Sequence, residues 1–158
     1  EVLIHAFKKL DLENKKLILV GNNKSEYGKK LMSDYKDDNI LFTGKQIDVR
    51  PYLGLANVFC IPTLSFGEGQ GLAPLEAMSM EIPVLGSRVS GITDILEGFE
   101  DYLFETGNDK ELTLKLNKIN EMPSDKVISL GKKMREKVVS NYSFDNFIKQ
   151  REQLYAKI

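Results

Sequence analysis

Apolar runs of strand length alternate with helical patterns along most of this 158-residue chain, and this alternation restricts its fold more than any other feature. The strand-length runs lie at residues 17–20, 40–43, 58–61, 82–86 and 102–104. The helical patterns lie at residues 1–10, 25–36, 48–55, 72–80 and 90–97. Such alternation is typical of a mostly parallel sheet covered by helices on both faces. It predicts a doubly wound α/β fold, with ligands outside the carboxyl ends of the strands.

After residue 104 only helical patterns follow. Regularly spaced leucine and isoleucine side chains predict a helix over residues 109–120. Ser124 is expected to cap a second long helix, and Ser143 a third. We therefore expect a single domain over residues 1–158 with a helical C-terminal tail.

Composition narrows the class of partner. The formal net charge is −1, so no basic excess marks a nucleic-acid surface. No apolar run approaches the roughly 18 residues that span a bilayer. The single cysteine, Cys60, excludes an internal disulfide and fits a reducing compartment. It lies in an apolar run, which predicts a buried structural thiol rather than a nucleophile. These features favour a cytoplasmic location.

A glycine-rich turn separates the apolar run at 58–61 from the helical pattern that begins near Leu72. Gly67, Gly69 and Gly71 let the main chain approach a ligand closely. The first amides of the following helix have no partner within the helix, and the helix dipole adds to their attraction for an anion. The turn therefore predicts an anion site.

Two carboxylates, Glu68 and Glu76, bracket this turn with seven residues between them. An ionised carboxylate only accepts hydrogen bonds, so it serves an anion site when hydroxyl groups flank the anion. A sugar attached to a nucleotide diphosphate provides a ribose diol on one side and sugar hydroxyls on the other. The alternative is that Glu76 is a solvated helix residue and Glu68 an ordinary loop charge.

Two further loops are expected at the same edge of the sheet. Gly21-Asn22-Asn23 follows the first apolar run, and Thr43-Gly44-Lys45 follows the second. The carboxyl ends of parallel strands meet at one edge, so these loops should converge with the glycine-rich turn.

The segment Glu-Gly-x-Gly-Leu-x-Pro-Leu-Glu-Ala-Met at 68–78 resembles the signature of retaining GT-B glycosyltransferases of the group 1 family. The resemblance is close over residues 1–107 and loose in the tail. Four other segments also resemble that family. Residues 2–10 are similar to the first helix of its C-terminal domain. Its strands and adjoining turns are similar to residues 17–21, 40–44 and 58–63.

The resemblance implies that this chain is the C-terminal, Rossmann-like, donor-binding domain of a two-domain glycosyltransferase. The N-terminal acceptor domain and a first strand, with an Arg and a Lys that hold the diphosphate, are expected to lie outside it. We expect the isolated chain to be inactive and one strand to have an unpaired edge, so that any oligomer of the isolated chain is an artefact.

The resemblance also implies roles for individual residues. Glu68 is expected to hold donor-sugar hydroxyls in the catalytic site, and Glu76 to accept hydrogen bonds from ribose. The amides of Gly69, Gln70, Gly71 and Leu72 are expected to stabilise the sugar and the departing diphosphate. The remaining donor-binding residues implied are Thr43, Gly44 and Lys45, which bracket the base, and Gly21.

Partners follow from the same resemblance. The full-length parent is expected to be a hexosyltransferase of polysaccharide biosynthesis. It would take a nucleotide-sugar donor and a glycan or lipid-linked acceptor, without a metal or other cofactor and without nucleic acid. Peripheral association with the inner face of the membrane is compatible with this activity. His5 is expected to be an ordinary helix residue.

Three positions depart from the family pattern. Gln70 stands where an aromatic residue is usual, and Asp94 where a glutamate is usual. Glu81 stands where a glycine usually follows the helix. If Glu81 adopts a left-handed conformation, the strain costs on the order of 1 kcal/mol.

Two other functions stay open: a nucleotide-sugar epimerase of the same architecture, and a non-catalytic nucleotide-binding module. A receiver domain needs an acidic cluster after its first strand, and a dinucleotide dehydrogenase needs Gly-x-Gly-x-x-Gly there. Gly21-Asn22-Asn23 is neither of these.

Overall fold

A computed structural model describes residues 1–64 and 71–156. Its strands are β1 (Leu17–Val20), β2 (Ile40–Gly44), β3 (Phe59–Ile61), β4 (Val84–Ser87) and β5 (Leu103–Phe104). Its helices are α1 (Val2–Lys9), α2 (Glu26–Asp34), α3 (Arg50–Leu53), α4 (Leu72–Ser79), α5 (Ile92–Ile95), α6 (Asp109–Glu121), α7 (Ser124–Tyr142) and α8 (Phe144–Tyr155). A short 3-10 turn, Glu100–Tyr102, leads into β5.

The strands form two parallel sheets. β1 pairs with β2 in one, and β3, β4 and β5 lie side by side in that order in the other. The predicted parallel α/β architecture with a helical tail is therefore confirmed. The division into two sheets was not predicted by the strand pattern alone. Among the described residues, β1 and β3 each have a strand neighbour on one side only.

Helices cover the strands on both faces. One core lies between the sheets and helices α1 and α6, where Ile4, Phe7 and Leu112 are buried. The other core lies beneath α4, α5 and α7. Val84 belongs to the second core and its neighbour Leu85 to the first, because successive side chains of a strand point to opposite faces. The site lies at the edge between these two layers.

The caps of the tail helices were predicted with mixed success. Ser143 caps α8 as expected, since its hydroxyl accepts a hydrogen bond from the Asn146 amide at 3.3 Å. Ser124 does not cap α7. It is the first helical residue, and Pro123 takes the cap position without a side-chain hydrogen bond.

Helix α4 ends in a left-handed turn formed by a residue other than glycine. Glu81 has a φ of 63°, which is the strained conformation expected for this position. The Glu81 amide donates to the Met78 carbonyl at 3.0 Å, and the Ile82 amide donates to the Ala77 carbonyl at 3.1 Å. These two hydrogen bonds form a Schellman motif, which satisfies carbonyls that the helix end would otherwise leave unpaired.

Helix α7 packs directly on this turn. At Gly131 the backbone of α7 comes so close to Glu81 that a Cβ would overlap the Glu81 carbonyl oxygen. Arg135, one turn further along α7, donates a hydrogen bond to the Ser79 carbonyl. The buried Met134 sulfur accepts from the Val84 amide at 3.3 Å. Helix α7 therefore fixes the C-terminal end of α4.

We predict that Gly131→Ala destabilises the fold. The added methyl group has no space beside the Glu81 carbonyl, so α7 must move away from α4. Overpacking of this kind costs about 3 kcal/mol of the free energy of unfolding, measured by urea denaturation. Gly54→Ala is the matched control, because a Cβ there meets its nearest neighbour, the Arg50 carbonyl oxygen, at 3.4 Å. Equal stability of the two variants would show that the α4–α7 contact is not tightly packed.

Candidate functional site

Helix α4 has one buried face and one open face. Pro74, Ala77 and Met78 are buried, at the i, i+3 and i+4 spacing of a single helix face. Leu72, Ala73 and Glu76 are exposed on another part of the helix surface. Glu76 lies about 6 Å along the axis from Leu72, at 1.5 Å per residue. The open face therefore carries the helix start and one carboxylate.

The first turn of α4 has backbone amides without an acceptor inside the helix. Gly71 precedes the helix in an extended conformation and makes no side-chain capping hydrogen bond. The amides of Leu72 and Ala73 belong to the first turn, where an α-helix has no acceptor for them. Pro74, the third helical residue, has no N–H, so the proline adds no further unpaired donor. The helix start can therefore donate to an anion.

The Glu76 carboxylate is exposed and has no hydrogen-bond donor or cation in contact within residues 1–64 and 71–156. The residue contributes to the helix through its backbone, since its carbonyl accepts a hydrogen bond from the Ser79 hydroxyl at 2.7 Å. Its carboxylate oxygens therefore remain available to hydroxyl donors of a ligand.

The second part of the site lies where β1 and β2 end. The Gly21 amide donates to the Gly44 carbonyl at 3.1 Å, which joins two predicted donor-binding residues. The Thr43 hydroxyl donates to the same Gly44 carbonyl at 3.0 Å, and the Gln46 amide group donates to the Thr43 carbonyl at 2.8 Å. Lys45 is exposed beside them. These hydrogen bonds occupy the Thr43 and Gly44 carbonyls and fix the shape of the loop.

Gly44 has a φ of +75°, in the left-handed region that favours glycine. A Cβ at this position would lie 3.2 Å from the Asn23 side-chain oxygen. Glycine is therefore required here both by backbone conformation and by the close approach of the loop after β1.

A cavity of about 830 Å³ extends from the open face of α4 to the end of β1. At one end it is lined by Val20 from β1, Pro62 just after β3, and Ala73 and Glu76 from α4. The structure thus brings the end of β1 and the open face of α4 to one concave surface. Glu68, Gly69 and Gln70 lie outside the described residues, so their roles stay predictions.

Ser87 at the end of β4 was not predicted as part of this region. It is fully buried, and its hydroxyl donates to the Ile61 carbonyl at 3.3 Å. This hydrogen bond ties the ends of β4 and β3 together just before the glycine-rich turn. A serine that ends an otherwise apolar run, Val84-Leu85-Gly86, is the signal that could have indicated it.

Cys60 and His5 have structural roles, as the sequence predicts. Burial raises the pKa of the Cys60 thiol to about 12, so the thiol stays protonated at neutral pH. His5 lies on α1, where its Nε2 is 2.7 Å from the Tyr35 hydroxyl oxygen. Its Nδ1 is 3.8 Å from an Asp109 carboxylate oxygen. A hydrogen bond from Lys9, 2.7 Å long, lowers the pKa of that carboxylate and links α1 to α6.

The sequence of this chain matches a known protein family. A sequence profile of the family described as glycosyl transferases group 1 matches residues 1–121 of the chain. The chain belongs to this group 1 glycosyltransferase family.

Individual relatives agree with the family assignment. The chain is 30% identical to N-acetyl-alpha-D-glucosaminyl L-malate synthase of Bacillus anthracis, over 99% of this chain and 41% of that protein. It is 27% identical to a capsular polysaccharide biosynthesis glycosyltransferase of Staphylococcus aureus, over 97% of this chain and 41% of that protein. This group 1 glycosyltransferase chain therefore spans about two fifths of the length of these curated relatives.

The fold has close structural counterparts. The crystal structure of Anabaena HepE in complex with UDP-glucose superposes with a TM-score of 0.85, at 19% sequence identity, over 99% of this chain and 44% of that one. The Rossmann-like fold expected for a group 1 glycosyltransferase is thereby confirmed.

The described residues contain neither a metal-binding cluster nor a membrane-spanning helix. No group of three or more His, Cys, Asp or Glu side chains in residues 1–64 and 71–156 is placed to hold a metal ion. Over the same ranges, none of the helices combines the length and the apolar composition that crossing a bilayer requires.

We predict that Gly44→Ala strains the loop after β2. An alanine at a φ of +75° costs on the order of 1–2 kcal/mol, and its methyl group also presses on Asn23. Urea denaturation should show a loss of stability of about that size. Gly21→Ala is the matched control at the same edge, because no atom lies within 4 Å of an added Cβ. If both variants unfold at the same urea concentration, the left-handed conformation of Gly44 is not a constraint on this loop.

Proposed function

We propose that this chain binds the donor of a retaining, nucleotide-sugar-dependent glycosyltransferase that transfers a hexosyl group to a glycan or lipid-linked acceptor. One observation carries the proposal. The first-turn amides of Leu72 and Ala73 have no acceptor within α4, and on the open face of the same helix the Glu76 carboxylate has no partner in residues 1–64 and 71–156. That face lines a cavity that also reaches the end of β1.

The spacing on α4 suits a nucleotide diphosphate. A diphosphate at the helix start accepts hydrogen bonds from the Leu72 and Ala73 amides, and the helix dipole favours its negative charge. Glu76, about 6 Å further along the axis, is then placed for the ribose hydroxyls rather than for the phosphates. Hydrogen bonds from hydroxyls to a carboxylate are of the charge-assisted, stronger kind.

The base is assigned to the loop after β2. The Gly44 carbonyl accepts hydrogen bonds there from the Gly21 amide and the Thr43 hydroxyl, so the loops after β1 and β2 are held together. Lys45 is exposed at the same place. A base bound at this loop would lie beyond the end of β1.

In the reaction, the amides at the helix start would stabilise the charge that develops on the departing diphosphate. Groups that are already oriented toward a developing charge lower the barrier without reorganising during the step. We assign Glu68 to the hydroxyls of the donor sugar, together with the Gly69 and Gln70 amides.

The relatives support the substrate class. The Bacillus anthracis relative is named for the transfer of an N-acetylglucosaminyl group, and the Anabaena neighbour was crystallised with UDP-glucose. The Staphylococcus aureus relative is named for capsular polysaccharide biosynthesis, which supports a glycan acceptor.

We predict that Glu76→Ala weakens binding of UDP about tenfold, which corresponds to 1.4 kcal/mol, when both proteins are titrated calorimetrically. The direction of the change in UDP affinity distinguishes two roles for Glu76. Removal of a carboxylate that only repels the diphosphate would leave affinity unchanged or raise it, whereas loss of hydroxyl contacts lowers it. GDP and ADP, titrated alongside, identify the preferred base.

Two controls sharpen this experiment. Glu121→Ala removes an exposed carboxylate at the end of α6 and should bind UDP like the wild type. With 2′-deoxy-UDP the wild type should lose affinity, while Glu76→Ala should bind both nucleotides equally, because the missing hydroxyl and the missing carboxylate are the same contact. Independent, additive losses would remove Glu76 from the ribose site.

A further inference from the structure

The main-chain acceptors of the loop after β2 are already engaged within the protein. The Gly44 carbonyl accepts from the Gly21 amide at 3.1 Å and from the Thr43 hydroxyl at 3.0 Å, which occupies both of its lone pairs. The Thr43 carbonyl accepts from the Gln46 side chain at 2.8 Å. A base at this loop therefore finds few free acceptors in the main chain of Thr43 and Gly44.

The loop after β1 brings the side chain of Asn23 to the same place. Asn23 follows by three positions Val20, the last residue of β1 and part of the cavity wall. A Cβ built on Gly44 would lie 3.2 Å from the Asn23 side-chain oxygen, 3.4 Å from its nitrogen and 3.5 Å from the carbon between them. Because these distances are nearly equal, the face of the carboxamide contacts Gly44 and its polar edge stays open.

The Asn23 carboxamide has no partner on the described part of the chain. The side chain is half-buried, and neither its oxygen nor its nitrogen makes a hydrogen bond within residues 1–64 and 71–156. Its neighbour Asn22 differs, since the Asn22 side-chain oxygen accepts from the Lys24 amide at 3.0 Å and shapes the turn. A half-buried amide group without a partner loses hydration that nothing in the protein replaces. The Asn23 side chain is therefore free to bind a ligand.

Helix α2 holds the backbone of Asn23 in place. Ser25 caps this helix, and its hydroxyl accepts from the Gly28 amide at 3.0 Å. A Cβ on Gly28 would lie only 2.8 Å from the Asn23 Cα and from the Asn22 carbonyl oxygen, so the loop packs directly on the helix. A group whose backbone is fixed before binding loses less entropy when a ligand arrives.

We propose that Asn23 reads the base of the donor nucleotide through its carboxamide, an inference that rests on the function proposed above. The edge of an amide group offers an N–H donor beside a carbonyl acceptor. Uracil presents the complementary pair, N3–H beside O4, so two hydrogen bonds form at once. Asn23 thereby helps to set which base the site prefers.

The variant Asn23→Asp tests this role, because it turns the donor and acceptor into two acceptors without changing the size of the side chain. A carboxylate repels uracil O4 but suits guanine, whose N1–H and N2–H donors lie side by side. In calorimetric titrations, the ratio of UDP affinity to GDP affinity should fall about tenfold in the variant. The added charge also repels the diphosphate, but it does so for both nucleotides and cancels in the ratio.

Asn22→Asp is the matched control. It adds the same charge one position away, and its carboxylate can still accept from the Lys24 amide, so the ratio should stay at the wild-type value. A further variant, Asn23→Ala, removes both hydrogen bonds. Wild-type protein should prefer UDP over 3-methyl-UDP about tenfold, whereas Asn23→Ala should bind the two alike, since the blocked N3–H has no partner left.

The outcomes separate this inference from the function on which it rests. An unchanged UDP-to-GDP ratio in Asn23→Asp, an equal shift in Asn22→Asp, or a preference against 3-methyl-UDP that persists in Asn23→Ala would overturn the role of Asn23 and leave the nucleotide site intact. Wild-type protein that binds neither UDP nor GDP would overturn the proposed function, and this inference with it.

Discussion

Helix α4 is fixed at its C-terminal end and open at its N-terminal end, and the candidate site depends on this asymmetry. Glu81 closes the last turn in a left-handed conformation, and Gly131 of α7 packs against the Glu81 carbonyl. The buried Pro74, Ala77 and Met78 hold the rest of the helix on the second core. Ala73 and Glu76, on the open face of the helix, consequently line the cavity.

The C-terminal end of α4 is held in place despite the strained conformation of Glu81. Its strain of about 1 kcal/mol is offset by the two hydrogen bonds of the Schellman motif and by the contact with α7. Helix α7 thus belongs to the support of the site, although it contributes no group to it. The helical tail that follows the sheet therefore supports the candidate site.

Local sequence signals predicted much of this arrangement. The bounds of β1 follow from an apolar run. The start of α4 at Leu72 follows from the glycines that precede a helical pattern. The meeting of Gly21 and Gly44 follows from the rule that parallel strands end at one edge. Contacts between residues distant in sequence leave weaker traces. The packing of Gly131 on Glu81, 50 positions away, and the hydrogen bond from Ser87 to Ile61 could not be read from local patterns.

The central claim is that the open face of α4 and the loop after β2 hold one nucleotide diphosphate. Titration of the isotope-labelled protein with UDP, followed by amide chemical shifts, tests it most directly. The account predicts that the amides of Leu72, Ala73 and Gly44 move together along one saturable binding curve, while amides of α6 and α8 stay in place. Saturable shifts that leave Leu72 and Ala73 unmoved would contradict it.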